Sequence, residues 1–198
     1  MTFRRTRCAH CRAKLTPERP SQIVHAECAE SYAIAKREKE ERSQAKAARM
    51  AAKVEKAETR RRKEAIKTIP QLTREAQLAF NAYIRARDQA AGHDCISSGR
   101  PLDWSGNAVD AGHYRSTGAA PHLRFNEDNC HTQSKHDNRF LAGNVIEYRI
   151  RLLDRIGLAR VEALEANNEI RKWTREELIA IRNEYRAKAK QLKKESQQ

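Results

Sequence analysis

Glycine is absent from the first 91 residues, and the stretch between Pro20 and Pro70 has no proline either. Glycine-dependent turns and sharp breaks are thereby excluded from the first third of the chain. Aromatic residues make up 6% and hydrophobic residues 39% of the 198 positions, against 33% charged. That is too polar for one fully packed domain of this length, so part of the chain is expected to be solvated. No run of 18 apolar residues occurs, which excludes a membrane-spanning helix, and the start Met1-Thr-Phe-Arg-Arg-Thr-Arg7 lacks the apolar core of a signal peptide. Five cysteines are too few for a disulfide scaffold of this size. What is abundant is positive charge: 40 Lys and Arg against 26 Asp and Glu give a net +14 and a pI near 9.9. A soluble, intracellular chain with that excess is expected to meet a polyanion, nucleic acid above all, because Lys and Arg matched to phosphates release condensed counterions.

The charge is unevenly placed. Residues 1–31 carry six basic and three acidic side chains, residues 33–68 carry thirteen and six, and residues 69–198 carry 21 and 17. Residues 33–68 are mostly Ala, Lys, Arg, Glu and Gln, all strong helix formers, and predict one long exposed helix. Its larger apolar residues, Ile34, Met50, Val54 and Ile66, keep no heptad spacing, so the helix reads as a solvated spacer or a basic arm tracking DNA, with Arg60, Arg61 and Arg62 as its densest basic run. After Pro70, Ala76, Ala79, Phe80, Tyr83 and Ile84 recur at helical spacing. Six of the seven glycines lie between Gly92 and Gly143, marking a compact, turn-rich ββ unit. A further helix is expected from Asn144 through Tyr148 and Leu152 to a stop at Gly157. Another is expected behind the capping box Thr174-Arg-Glu-Glu177, with a frayed basic tail from Arg186 to Gln198. The fold class is thus α+β and mostly helical. Its parts are residues 1–31, a helical arm 32–69, a core domain 70–185 and a tail 186–198.

Cys8-Ala-His-Cys11 is followed by His25-Ala-Glu-Cys28. Each pair is spaced so that both ligands of a tight knuckle face one ion, and the loop between them is long enough to close a tetrahedron. Cys8, Cys11, His25 and Cys28 are therefore expected to hold a structural zinc, with His10 a bystander; reduced thiols or a disulfide are the alternatives, the latter disfavoured inside a cell. Four ligands leave no open position for catalysis.

The glycine-dense stretch carries Asp110-Ala-Gly-His-Tyr114, Leu123-Arg-Phe-Asn-Glu-Asp-Asn-Cys-His131 and Ser134-Lys-His-Asp-Asn138. A His on a strand, an Asn near a turn and a further His or Asn on a helix is the layout of a ββα-metal, or HNH-type, nuclease; the same residues also serve as loop-capping groups. In the nuclease reading a neutral imidazole takes a proton from water and a hard cation clamps the phosphate.

The order of pieces resembles the NinG (Rap) family of lambdoid phage recombination proteins over nearly the full chain. The resemblance lies in the knuckle, the spacer, Ala79-Phe-Asn-Ala-Tyr-Ile-Arg-Ala-Arg-Asp88, Cys95-Ile-Ser-Ser-Gly99, Asp110 to Arg115, Leu123 to Asn129 and Gly143-Asn-Val-Ile-Glu-Tyr-Arg149. It implies a structure-specific endonuclease acting with Mg²⁺ or Mn²⁺ on branched DNA such as Holliday junctions and D-loops, in the cytoplasm of a bacterial host. Phage or host recombination proteins would be further partners, and symmetric cutting would suit a homodimer. On that resemblance His113 takes the general-base position, Asp110 is the nearest carboxylate for the cation, and Asn129 and Asn138 match the central and final motif positions. His131 is a further site candidate, and Arg115 and Arg124 are suited to phosphates. Asp110 and His113 face opposite sides of a regular strand, so bringing them together needs a bend, for which Gly112 is the natural place. The family pattern has a second zinc between two Cys-x-x-Cys knuckles. Here only Cys95 is kept, with Ser98, Ser134 and Asp137 at the other three positions, so that zinc is expected to be absent and the unit to be held by packing through Trp104, Phe125 and Phe140. A catalytically inactive, zinc-containing branched-DNA-binding accessory protein is the alternative function.

Overall fold

The computed structural model describes residues 5–195; residues 1–4 of the expected knuckle segment and 196–198 of the expected tail lie outside the described residues. The chain divides into two compact units, Met1–Ile66 and Lys67–Gln198. It is mostly helical, with one two-stranded antiparallel sheet. Among the described residues no helix is long and apolar enough to cross a membrane.

The first unit is a small knuckle followed by α1, Ala29–Ala65. This helix buries no residue, which its composition explains: Ala, Lys, Arg and Glu sustain it by propensity and by neighbouring-turn pairs such as Arg42–Glu38 and Arg62–Glu58. It is long enough for propagation to outweigh the unfavourable nucleus.

The second unit has a conventional core. Helix α2, Ile69–Ala90, begins at a capping box in which the Thr68 N–H donates to Gln71 Oε1 at 2.8 Å. It presents Leu72, Ala76, Phe80 and Ile84 to α6, Arg175–Glu195, which supplies Leu178 and Tyr185. Phe80 and Tyr185 meet edge to face at 4.9 Å between centroids. The sequence-expected box at Thr174 also forms, with Thr174 N–H to Glu177 Oε2 at 2.9 Å and Glu177 N–H to Thr174 Oγ1 at 3.2 Å. Where a frayed tail was expected from Arg186, helix α6 continues to Glu195, because its inward face is still packed: Ala189 is buried.

Strands β1, Val109–His113, and β2, Cys130–Ser134, pair in register from Val109↔Ser134 to His113↔Cys130. The chain passes from β2 into α3, Lys135–Phe140, whose first turn is capped by Ser134 Oγ accepting from Asp137 N–H at 3.0 Å. Helices α4, Val145–Ile156, and α5, Leu158–Ala166, build a second cluster from Tyr148, Leu152, Val161 and Leu164 with Ile96 and Leu123. Its Tyr148 hydroxyl donates to the Gly112 carbonyl at 3.1 Å. Gly112 has no room for a side chain, since a Cβ there would collide with Gln133. Phe125 is buried as expected, Trp104 is half-buried, and Phe140 is not a core residue at all: it is 75% exposed at the end of α3.

Candidate functional site

The knuckle is shaped by backbone bonds before any metal is considered. Cys8 N–H donates to the Ala13 carbonyl at 2.9 Å, Leu15 N–H to the Thr6 carbonyl at 2.9 Å, and Arg12 takes a left-handed φ of 61°. These turn the chain so that Cys8 and Cys11 face His25 and Cys28, which sit at the 3-10 turn Ala26–Cys28 leading into α1. The four ligand atoms all lie within 4.8 Å of one another, close enough to bind a metal ion; His10 is not among them. His25 Nδ1 lies 3.4 Å from Cys11 Sγ and 3.9 Å from Cys28 Sγ, while Nε2–H donates to the Lys14 carbonyl at 3.0 Å. That second bond fixes the tautomer which leaves Nδ1 free to ligate. Burial pushes the Cys8 thiol up, but hydrogen bonds from the backbone of Cys11, His10 and His25 outweigh it and bring the thiol to about 6. Burial and the neighbouring Cys11 and Cys8 sulfurs push Cys28 up to about 11. Crowded thiols of this kind are relieved by a shared cation, and three thiols with one imidazole suit Zn²⁺.

In the second unit, β1, β2 and α3 bring Asp110 and Asn138 together. Asn138 Nδ2 donates to Asp110 Oδ2 at 3.1 Å, and Arg139 Nε donates to the same oxygen at 3.0 Å. The sheet does not add His113 to this group. Its five-pair ladder carries no bulge, so Gly112 provides no bend and Asp110 and His113 face opposite sides of β1. His113 instead stacks near Phe80, at 6.1 Å between centroids, and its Nε2–H donates to the Arg124 carbonyl at 2.9 Å. That leaves Nδ1 as the basic nitrogen, 3.7 Å from the buried Cys130 thiol. Burial pushes the His113 pKa down, so the ring is neutral at physiological pH.

Asn129 is fully buried and its hydrogen-bonding capacity is spent on the loop before β2. Oδ1 accepts from Arg115 N–H at 2.8 Å, and Nδ2 donates to the Arg115 and Leu123 carbonyls at 3.0 and 3.2 Å. Of the two arginines suited to phosphates, Arg115 directs its guanidinium to the carbonyls of Leu164, Glu165 and Asn167 and so holds the end of α5. Arg124 reaches Gln77 Oε1 at 3.2 Å and the Thr117 carbonyl at 3.3 Å. Arg60, Arg61 and Arg62 are exposed on α1, Arg61 and Arg62 sharing Glu58.

The four positions of the degenerate knuckle do come together. Cys95 Sγ–H donates to Asp137 Oδ2 at 3.1 Å, Ser134 N–H donates to Cys95 Sγ at 3.2 Å, and Ser98 also bonds Asp137. Burial raises the Asp137 pKa, but these bonds and His136 outweigh it and keep the carboxyl ionised. Hydrogen bonds thus join the segment around Cys95 to that around Ser134 and Asp137. Cys130 and His131 take no part in this cluster, since they face His113 and Arg87 respectively.

Sequence reasoning missed Asp88. It is fully buried in α2 and accepts from Thr132 N–H at 2.7 Å, Thr132 Oγ1 at 3.0 Å and Arg87 Nε at 2.7 Å. The signal was available: Leu72, Ala76, Phe80, Ile84 and Asp88 follow each other every four residues along one stripe. Arg87 also reaches the Glu127 and Cys130 carbonyls and His131 Nδ1. Burial, with Arg87 alongside, holds the His131 pKa far below its usual value. The folded value thus lies below that of the unfolded chain. As pH falls below about 6.5 the unfolded chain takes up a proton first, and stability declines by about 1.4 kcal/mol per pH unit. Thermal melts should therefore give a lower Tm at pH 5 than at pH 7, and His131→Gln should make that dependence shallower; equal slopes would contradict the assignment.

The model of one protein family, the Bacteriophage Lambda NinG protein, matches residues 2–195. Over 134 residues, 67% of this chain, the sequence is 44% identical to Protein ninG of Escherichia phage lambda and 43% identical to Protein ninG of Salmonella phage P22. Protein ninG of Escherichia phage 933W is 42% identical over the same length. These matches cover 62% of the lambda protein and 63% of the other two, so the chain spans less than two thirds of the length of these relatives. No solved structure gives a significant match. With a family match over almost its whole length and relatives above 40% identity, the chain belongs to the NinG family of lambdoid phage proteins.

Proposed function

We propose that this chain is a metal-dependent, structure-specific endonuclease that cuts branched DNA such as Holliday junctions and D-loops. The observation that carries the reading is the meeting of Asp110 and Asn138, at 3.1 Å, across a β1–β2–α3 unit. The net charge of +14 supports a polyanionic substrate. Asp110 Oδ2 is taken by Asn138 Nδ2 and Arg139 Nε, so Mg²⁺ or Mn²⁺ would be held through the other Asp110 oxygen, with the Asn138 amide turned to bring its oxygen to the ion. The chemistry such an ion would supply is stabilisation of the charge that builds on the scissile phosphate. Arg139, already at the Asp110 carboxylate, places a bidentate donor at the same edge for a phosphate oxygen. Asn129 fastens the loop between the strands, and His113 is the neutral imidazole available as base. It is the last residue of β1, and that role requires its ring to turn away from Cys130. The knuckle and α1 hold DNA rather than cut it.

One observation favours a second reading, a branched-DNA-binding accessory protein that does not cut: the His113 ring lies on the other face of β1 from Asp110. A labelled four-way junction with Mg²⁺ separates the two. The endonuclease reading expects cleavage that falls about 10²- to 10⁴-fold in His113→Ala and Asp110→Ala, with junction binding kept. Tight binding by the parent with no product would overturn it in favour of the accessory reading.

A further inference from the structure

Helix α3 ends in an exposed aromatic pair that packing does not explain. Phe140 is 75% exposed, the His136 side chain is 70% exposed, and their ring centroids lie 5.8 Å apart one helical turn from each other. In the segment that follows, Leu141, Val145, Ile146 and Ile150 are 48%, 48%, 78% and 52% exposed. Exposed apolar side chains concentrated in one short stretch of chain mark a contact.

The tip is also fixed in place. The turn after Phe140 runs through Ala142, Gly143 and Asn144 at φ of 49°, 81° and 45°, a left-handed conformation that L side chains rarely adopt. It is fastened from inside the unit: the Gly143 carbonyl accepts from Ser97 Oγ at 2.9 Å and from Gln133 Nε2 at 2.6 Å, and Gly143 N–H donates to the Asp137 carbonyl at 3.0 Å. Ser97 and Gln133 are both fully buried. The rings are thus presented rigidly, on the same helix as Asn138 and Arg139.

Charge selects the occupant. Lys135 and Arg139 outnumber Asp137 on the same six-residue helix as the rings, Arg139 being paired with Asp110, and a second copy of a +14 chain would bring like charge against like. A partner that is polyanionic and carries flat apolar faces satisfies both features, and nucleobases stack on aromatic rings with little regard to sequence. In intact duplex those faces are occupied by neighbouring bases; where a branch carries unpaired nucleotides they are free, so no unstacking cost is incurred.

We propose that the His136–Phe140 tip is a branch-point platform on which an unpaired nucleobase stacks beside the Asp110–Asn138 pair. The proposal rests on the branched-DNA reading above and supplies its selectivity: Phe140 and His136 distinguish a branch from a duplex, while the basic surface holds both.

The test uses the full chain with Ca²⁺ in place of Mg²⁺ to suppress cleavage. Affinity is measured for a four-way junction with unpaired nucleotides at its centre and for a linear duplex of the same arm sequence, with the parent, Phe140→Ala, Phe140→Trp and His136→Ala. Phe140→Ala should weaken junction binding about tenfold or more and leave duplex binding unchanged, while Phe140→Trp keeps the preference. Phe140 is on the surface, so a fall in both affinities together, or an altered circular dichroism spectrum, would overturn the proposal as a nonspecific or folding effect. A parent that prefers junctions with Phe140→Ala unchanged would overturn the platform and leave the branched-DNA reading standing. A parent with no preference for junctions would overturn both. Conversion of a dimer to a monomer by Phe140→Ala without DNA would assign the patch to a second copy and overturn the platform.

Discussion

Asp88→Ala should destabilise the second unit by about 3–5 kcal/mol, the cost of leaving a buried charged network without one partner. That is a large share of the total for a domain, which is typically about 5–15 kcal/mol. The size follows from what remains. Arg87 would keep its guanidinium inside the unit with its carboxylate gone, the Thr132 N–H on β2 would lose a 2.7 Å acceptor, and Arg155 Nη1, 3.8 Å from Asp88, would lose its counter-charge. Asp88 joins α2 to β2, so the loss falls where the sheet is held against the helical pair. Urea unfolding followed at Tyr and Trp should show a midpoint lowered by about 1–3 M. A midpoint within experimental error of the parent would show that the ionic cluster does not support the unit.

Denying the knuckle its metal should have a larger but local effect. The first unit has almost no core of its own: Cys8 and Leu15 are its buried apolar residues among those described, and α1 buries none. Four ligands around one ion must supply what packing does not, and zinc binding to small modules of this type contributes about 10–16 kcal/mol. Chelation, or Cys11→Ser or Cys28→Ser, should disorder the segment around Cys8 to Cys28 as seen by amide NMR or limited proteolysis. Helix α1, which depends on propensity, should stay helical, and the urea midpoint of the second unit should not move. Elemental analysis should find one zinc per chain. Two would mean that Cys95 and its neighbours hold a metal; none would refute the knuckle as a zinc centre.

What the sequence made legible was local. Helices α1 and α2 follow from propensity, spacing and a cap within a few residues, and the four knuckle residues stand in two short pairs. Helix α5 was not foreseen because it starts straight after Gly157, which ends α4 at φ 83° and serves at once as the N-cap of the next helix; a glycine there reads as a stop. Phe140 was misplaced because apolar character alone does not distinguish a core residue from a presented one. That a turn-rich pair of strands lies between helices was legible from the clustered glycines, but the side-chain pairings were not. Asn138 to Asp110, Arg115 to the end of α5 and His113 to the Arg124 carbonyl join residues distant in sequence, and only the fold decides them. The placement of Asp110 and His113 on opposite faces of β1 was the exception: it follows from the period of a strand, and the bulge-free ladder keeps it.

The most direct measurement of the central claim is the fate of a labelled four-way junction and a matched linear duplex incubated with this 198-residue chain, once with Mg²⁺ and once with Ca²⁺. The account predicts discrete products near the branch with Mg²⁺, no cutting of the duplex, and retained binding without cutting in Ca²⁺. A junction that is bound but stays intact in Mg²⁺, or a duplex cut as readily as the junction, would contradict it.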